Sequence, residues 1–414
     1  MNIYAVIILA ALLGEYVLST TASLLNVRAM SPTVPDEFAG VYDAERYAKS
    51  QEYTRVGTQF SLIHNTFRLA TLLLFWQFGG FGWFDVLVRS LGVGPVATGL
   101  IYLGGLSLVS YVIGMPFNLY STFNIEERFG FNRTTVRTFV ADQLKQLILQ
   151  VVIGGALVGA VLFFFDWVGS WAWLWCWLTV VIFMVLMQFV APTWIMPLFN
   201  KFTPLELGEL RETIMAYART VKFPLEGLFV IDGSKRSTKA NAFFTGFGKR
   251  KRIALYDTLI EQQTTEEVVA IVAHEVGHYK RKHVLERMAL SIVHTGLMFW
   301  LLSFFLEQPA LLEAFDVHEP SVYAALLFFG LLFTPVELAL SVLVLARSRK
   351  NEFEADAFAV TTTAGCEPLV NALKQLSVQN LANLTPHPLT VILGHSHPPL
   401  LRRIEMLRAE AAQL

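Results

Sequence analysis

Long apolar runs separated by polar stretches set the character of the chain. Seven runs are long enough to cross a bilayer as helices, at residues 3–25, 67–88, 95–120, 147–165, 173–194, 288–306 and 322–345. No basic segment precedes the first run, so it reads as a retained span and not a cleaved signal. Gly79-Gly80-Phe81-Gly82 interrupts the second run and predicts a kink there. Glu15, His294 and Glu337 fall inside apolar runs, so they face a protein interior or water, not lipid.

The polar block at 200–286 carries a different pattern. An amphipathic helix is expected over 205–222, short strands over 228–231, 241–246 and 252–256, and a turn over 233–237. Thr264-Thr265-Glu266-Glu267 has the spacing of a capping box and predicts a helix start at Thr264. That helix is expected to run on into the sixth span. The tail shows helical patterns near 352–360, 366–382 and 398–412. The chain therefore divides into 1–199 (spans one to five with their loops), 200–286 (a small α+β region), 287–350 (spans six and seven) and 351–414 (a tail). The expected fold class is a mainly α-helical integral membrane protein.

Composition agrees with a membrane protein. Hydrophobic residues make up 54% and charged residues 16% of the chain, against about 25% charged in soluble domains. The nine Trp and 33 Phe suit long apolar helices with aromatic belts at the interfaces. A net charge of −1 gives no field for nucleic acid, so none is expected as a partner. Cys176 and Cys366 are far apart and support neither a disulfide framework nor a thiolate metal site.

Of the 32 Lys and Arg residues, 29 lie in the loops after spans one, three, five and seven. By the positive-inside rule, those loops and the tail are cytosolic and the N-terminus is outside. The tail lacks a dilysine signal, which favours a bacterial cytoplasmic membrane over the endoplasmic reticulum of a eukaryote.

Candidate chemistry centres on His274-Glu275-Val276-Gly277-His278, an H-E-x-x-H pattern in the last cytosolic helix before span six. Residues four apart share one helical face, so both imidazoles can reach one zinc ion. A third protein ligand is needed, with one position left for water. The candidates are Glu352, Glu354, Asp356, His387, His395 and His397. Glu352 is preferred because Glu352 and Asp356 also lie four apart on one face, with Glu354 turned away. One carboxylate of that pair would ligate and the other would hold a ligand histidine. An exposed acidic helix start is the plainer explanation of the same residues. Zinc held there would acidify a water, and Glu275 is placed to take its proton. The reaction class is peptide hydrolysis, with a donor for the oxyanion still to be found. His283, five after His278, falls about 140° off the ligand face and is not expected to ligate. His387 and His395 are read as loop residues.

Further stretches match in order: residues 124–132, 233–237, 241–246, 252–260, 274–278, 352–359, and His397-Pro398-Pro399 with Arg403. With them the chain resembles the type I CAAX prenyl endopeptidases, integral-membrane zinc metalloproteases of the gluzincin kind. The resemblance implies seven helices enclosing a water-filled chamber, with a zincin-like region at the cytosolic side. It implies one zinc per chain on His274, His278 and Glu352, with Glu275 as base and Asp356 supporting the ligands. His397 and Arg403 would line the site near the scissile carbonyl. Asn241, Ala242, Phe243, Phe244 and Thr245 would form an edge strand that takes up substrate by backbone pairing. Partners would be a peptide or protein, prenylated or membrane-associated, and the lipid bilayer. In a prokaryote, broader membrane proteolysis or quality control is expected. Two other classes compete: a transporter or channel with a structural or regulatory metal site, and a non-catalytic scaffold. The presence of Glu275 argues against the scaffold, because a structural metal site needs no base.

Overall fold

A computed structural model describes residues 2–245, 251–306, 308–363 and 365–414. Among the described residues, six helices are long and apolar enough to cross a membrane, and one bent pair brings the number to seven. They are α1 (Ile3–Arg28), the pair α2 (Ala44–Gln77) and α3 (Gly80–Arg89), α4 (Pro95–Phe129), α5 (Val136–Trp167) and α6 (Gly169–Phe199). The polar block follows, and then α10 (His283–Ser303) and α12 (Val322–Thr362) complete the set. Many large apolar side chains on these helices are exposed, such as Val17, Val112, Val152, Ile182, Val293 and Leu343, as expected of surfaces solvated by lipid.

The kink expected at 79–82 is a 65° bend between α2 and α3. Gly79 supplies it, with φ +66°, a left-handed conformation that glycine adopts without strain. Gly82 serves close approach: a Cβ there would stand 2.1 Å from the Asp316 carbonyl oxygen. The tight fit lets Phe81 meet Phe315 and Phe328 edge-on at 5.3 and 5.5 Å. Trp76 and Phe328 stack on Phe315 at 4.4 and 3.9 Å. These rings lie in the core of the membrane bundle.

A second core lies in the polar block. There β1 (Phe202–Pro204), α7 (Glu209–Thr220), β2 (Leu225–Ile231), β3 (Ala242–Thr245) and β4 (Lys251–Tyr256) form a four-stranded sheet with its helix. The strand order is β1-β2-β4-β3, with β2 and β4 parallel and the outer pairs antiparallel. β3 is therefore an edge, in register Ala242↔Leu255 through Thr245↔Arg252. The strand expected over 241–246 is this one; its last residue lies outside the described residues. β1 was not expected: three residues ending in a proline are too short for a periodicity to show. After α8 (Asp257–Gln262) comes α9 (Thr265–Lys280), which opens on the expected capping box. The Thr264 hydroxyl accepts from Glu267 N–H and the Glu267 carboxylate accepts from Thr264 N–H.

One expectation fails. The H-E-x-x-H helix does not run on into the sixth span. It ends at Lys280, Lys282 takes a left-handed φ of 61°, and α10 starts afresh at His283. Lys280-Arg281-Lys282-His283 interrupts the hydrophobic period at the junction, but with no glycine or proline there the residue types do not mark a left-handed turn.

After α11 (Pro309–Glu313), α12 runs unbroken for 41 residues. At 1.5 Å per residue that is about 60 Å, roughly twice the hydrocarbon thickness. Glu352 thus stands about 10 Å beyond the end of the apolar run at 345, on the same rigid rod. The tail folds back as α13 (Glu367–Gln379), α14 (Pro388–Gly394) and α15 (Leu400–Ala411).

α9 and α12 cross in near backbone contact. A Cβ on Gly277 would lie 2.9 Å from the Ala355 carbonyl oxygen and 3.0 Å from its Cα. Gly277→Ala must push the two helices apart. It is expected to destabilise the core around the sheet by about 1–3 kcal/mol, seen as a lowered melting temperature in detergent. An unchanged melting temperature would show that the crossing tolerates a methyl.

Candidate metal centre

The capping box fixes where α9 starts, and three turns later the helix presents His274 and His278 on one face. α9 is buried nearly all round, among Val268, Ile271, Val272, Ala273 and Val276. Both imidazoles are buried, as is Glu352 from α12. The Nε2 atoms of His274 and His278 are 3.2 Å apart. Glu352 Oε2 stands 3.4 Å from His274 Nε2, and Oε1 stands 3.3 Å from His278 Nε2. All the donor atoms of this trio lie within 4.8 Å of one another.

The residues present fit a zinc ion on three counts. Two imidazole nitrogens and a carboxylate are a familiar catalytic donor set. Glu352 Oε2 is buried and accepts no hydrogen bond, so an oxygen is left over for a cation. The pocket also favours positive charge. Burial opposes a charged His274, yet the Asp356 and Glu352 carboxylates beside it outweigh burial and push its pKa up to about 9.

Around the trio the supporting groups are equally specific. His274 Nδ1 lies 2.8 Å from Asp356 Oδ1. Arg403, buried in the first turn of α15, grips Asp356 with two bonds, Nε to Oδ2 at 2.9 Å and Nη2 to Oδ1 at 2.6 Å. Its Nη1 is 3.7 Å from Glu352 Oε2. The sequence placed Arg403 near the scissile carbonyl; in the structure its guanidinium is spent mainly on Asp356, behind the ligands. His397 is different. Its side chain is 62% exposed while its Nε2 stands 3.4 Å from Glu352 Oε1. Nδ1 is 2.9 Å from the Ser396 hydroxyl. Arg349 on α12 donates to the Val391 and His395 carbonyls, which pins the segment leading to His397. Glu275 sits beside the trio, and burial holds its carboxyl above the usual range.

β3 packs alongside α9, and Phe244 meets Tyr279 edge-on at 6.4 Å. Asn241 is exposed just ahead of the strand, its side-chain oxygen accepting from Ala242 N–H. Nothing is described of the Thr245 side chain. His387 and His395 stay away from the metal ligands: His387 Nδ1 caps α14 by accepting from Leu389 N–H, and His395 contributes its carbonyl to Arg349. His294 and Glu337 pair across α10 and α12 at 2.8 Å. Sequence reasoning missed one neighbour, His283, whose Nδ1 lies 2.9 Å from His278 Nδ1. Its only sequence signal was a third histidine five places on.

Known proteins resemble the chain across most of its length. Residues 23–201 match a family described as CAAX prenyl protease N-terminal, five membrane helices, and residues 204–411 match peptidase family M48. The chain is 36% identical to CAAX prenyl protease 1 of Saccharomyces cerevisiae, covering 92% of this chain and 89% of that protein. It is 35% identical to the CAAX prenyl protease 1 homolog of Arabidopsis thaliana, covering 95% of each. It is 32% identical to the Homo sapiens homolog, covering 91% and 88%. The crystal structure of S. mikatae Ste24p matches with a TM-score of 0.91 at 33% identity, over 98% of this chain and 99% of that one. These relationships give no support to a transporter or channel. With both sequence and fold matched nearly end to end around a His-His-Glu cluster, the chain belongs to the M48 family of CAAX prenyl protease-like proteins, and it is a zinc-dependent membrane endopeptidase.

Proposed function

We propose that His274, His278 and Glu352 hold one zinc ion, and that the chain uses it to cut peptide bonds in prenylated or membrane-associated proteins, near their C-termini. The observation that carries this reading is the convergence of two Nε2 atoms and a carboxylate beside the half-buried Glu275. Bound by these three residues, zinc would supply Lewis acidity toward a water and the scissile carbonyl. Glu275 takes the proton of the attacking water and hands it to the leaving amine; a carboxyl raised by burial suits both steps. Asp356 accepts from His274 Nδ1–H, which turns the Nε2 lone pair toward the ligand position. Arg403 holds Asp356 in that orientation. His397 lines the open side of the site and donates from Nε2 to the developing oxyanion.

The edge strand β3 offers unpaired backbone groups to an extended substrate, with Asn241, Ala242, Phe243, Phe244 and Thr245 along it. The substrate class follows the names of the relatives, the CAAX prenyl proteases; in a prokaryote the same site would serve general membrane proteolysis. The expected four-part division at 199, 286 and 350 separates membrane helices, catalytic region, two further membrane helices and ligand-bearing tail by role, with the boundaries at 286 and 350 falling inside α10 and α12. Lys and Arg in the odd-numbered loops support a cytosolic site. The partly exposed His294–Glu337 pair within apolar helices supports a wet chamber between the spans.

Purified protein is expected to cleave a prenylated C-terminal peptide, and to stop when a chelator strips the zinc. Glu275→Gln should keep its zinc and lose about 10²- to 10⁴-fold in kcat. A zinc-loaded wild type that cuts neither prenylated nor unprenylated peptides would sink the reading. Asn241→Ala tests the edge strand: KM should rise about fivefold, for one lost hydrogen bond of ~1 kcal/mol, with kcat preserved. An unaltered KM removes Asn241 from the substrate contacts.

A further inference from the structure

The two histidines of the H-E-x-x-H motif need opposite treatment of their two nitrogens. For Nε2 to offer a lone pair to a metal, the single proton of the neutral imidazole must sit on Nδ1. His274 satisfies this directly, with Nδ1 2.8 Å from Asp356. Among the described residues no carboxylate reaches His278 Nδ1. Its partner is His283 Nδ1 at 2.9 Å. Two ring nitrogens at that distance share one hydrogen, so His278 donates and His283 accepts. The remaining proton of His283 must then be on Nε2. That atom lies 3.2 Å from Glu354 Oε2, an acceptor in the correct place.

The geometry points to His283 as the positioning residue of His278, with Glu354 as its anchor: a carboxylate–imidazole–imidazole chain that fixes the metal-facing tautomer of the second histidine. The inference rests on His278 being a zinc ligand. His283 is 1% exposed, so water does not compete for its nitrogens. The chain starts from Oε2 of Glu354, while Oε1 lies 3.5 Å from Arg347 Nη1. Arg347 also binds Glu286, one turn into α10, through Nε and through Nη2 at 2.9 Å. Asn351 Nδ2 lies 3.5 Å from the same Glu286 carboxylate. The start of a membrane-spanning helix is thereby fastened to the metal-bearing one.

The arrangement depends on the break at Lys282. On a continuous helix, position 283 falls about 140° round from 278 and the rings cannot meet. With the break, the ring centroids are 5.1 Å apart.

The test is zinc affinity, measured by competition with a chromogenic chelator on the full-length protein in detergent. His283→Ala is expected to weaken zinc binding about 10- to 100-fold, and Glu354→Gln to weaken it less. His283→Gln keeps an acceptor for His278 and a donor for Glu354, so it should recover most of the loss. Cobalt loaded in place of zinc should show a changed visible spectrum in His283→Ala and a near-native one in His283→Gln. Zinc affinity within threefold of wild type in a folded His283→Ala overturns the proposal. So does a His283→Gln variant as weak as His283→Ala, which would make the effect one of packing. A His278→Ala control separates the two readings: wild-type zinc affinity there overturns the ligand assignment and the proposal with it, whereas lost affinity in His278→Ala beside wild-type affinity in His283→Ala overturns the positioning role alone.

Discussion

The catalytic centre depends on a near backbone contact between two helices from different parts of the chain. α9 brings the two histidines and α12 brings the carboxylate. A trio of donors within 4.8 Å requires the helices to approach more closely than ordinary side chains permit. Gly277, inside the H-E-x-x-H motif itself, removes the side chain at the crossing, opposite Ala355. Glu352 and Asp356 flank that alanine in sequence and point to the two sides of the His274 ring. The contact thus sets ligand distances and the bond that orients one ligand.

Because α12 is a single rod, the same contact ties chemistry to membrane architecture. Its apolar part packs in the bundle core through Phe328, Phe329 and Phe333. Its polar part carries Arg347, Arg349, Glu352, Glu354 and Asp356 into the core built around the sheet. The tail docks on this extension, Arg403 on Asp356 and the 391–395 carbonyls on Arg349. A tilt of the membrane part of α12 would move the ligand carboxylate, the tail and the Glu354 anchor together.

Much of this was legible in the residues. Apolar runs placed the spans, since hydropathy over twenty residues carries a strong signal. The capping box and the i, i+4 pairs placed the ligand face, because they are local rules. What escaped was non-local or conformational. The left-handed Lys282 has no compositional mark such as glycine, so the helix was extended through it and His283 was rotated to the wrong face. For the same reason Glu354 was set aside as pointing away: the helical wheel was right about its direction, but a partner waited on that side. Arg403 was identified by its motif, yet its bonding to Asp356 is set by how α15 folds back, which spacing does not encode.

Charge balance explains why the arginine belongs there. Two carboxylates one helical turn apart, both buried, cannot remain ionised in a low-dielectric core without compensation. Asp356 is paired by Arg403 on one side and hydrogen-bonded to His274 on the other. That leaves Glu352, 3.7 Å from Arg403 Nη1 and within 3.4 Å of the Nε2 atoms of His274 and His278, as the carboxylate that faces the ligand position. A zinc dication held by Glu352 and the two imidazoles would meet one directly coordinating negative charge and would keep the net positive charge that a Lewis acid needs. Were both carboxylates free to ligate, the ion would be fully neutralised and its hold on a water proton weakened. With the ligand set proposed above, Arg403 would act on the metal through Asp356, reserving one acid for orientation and one for coordination.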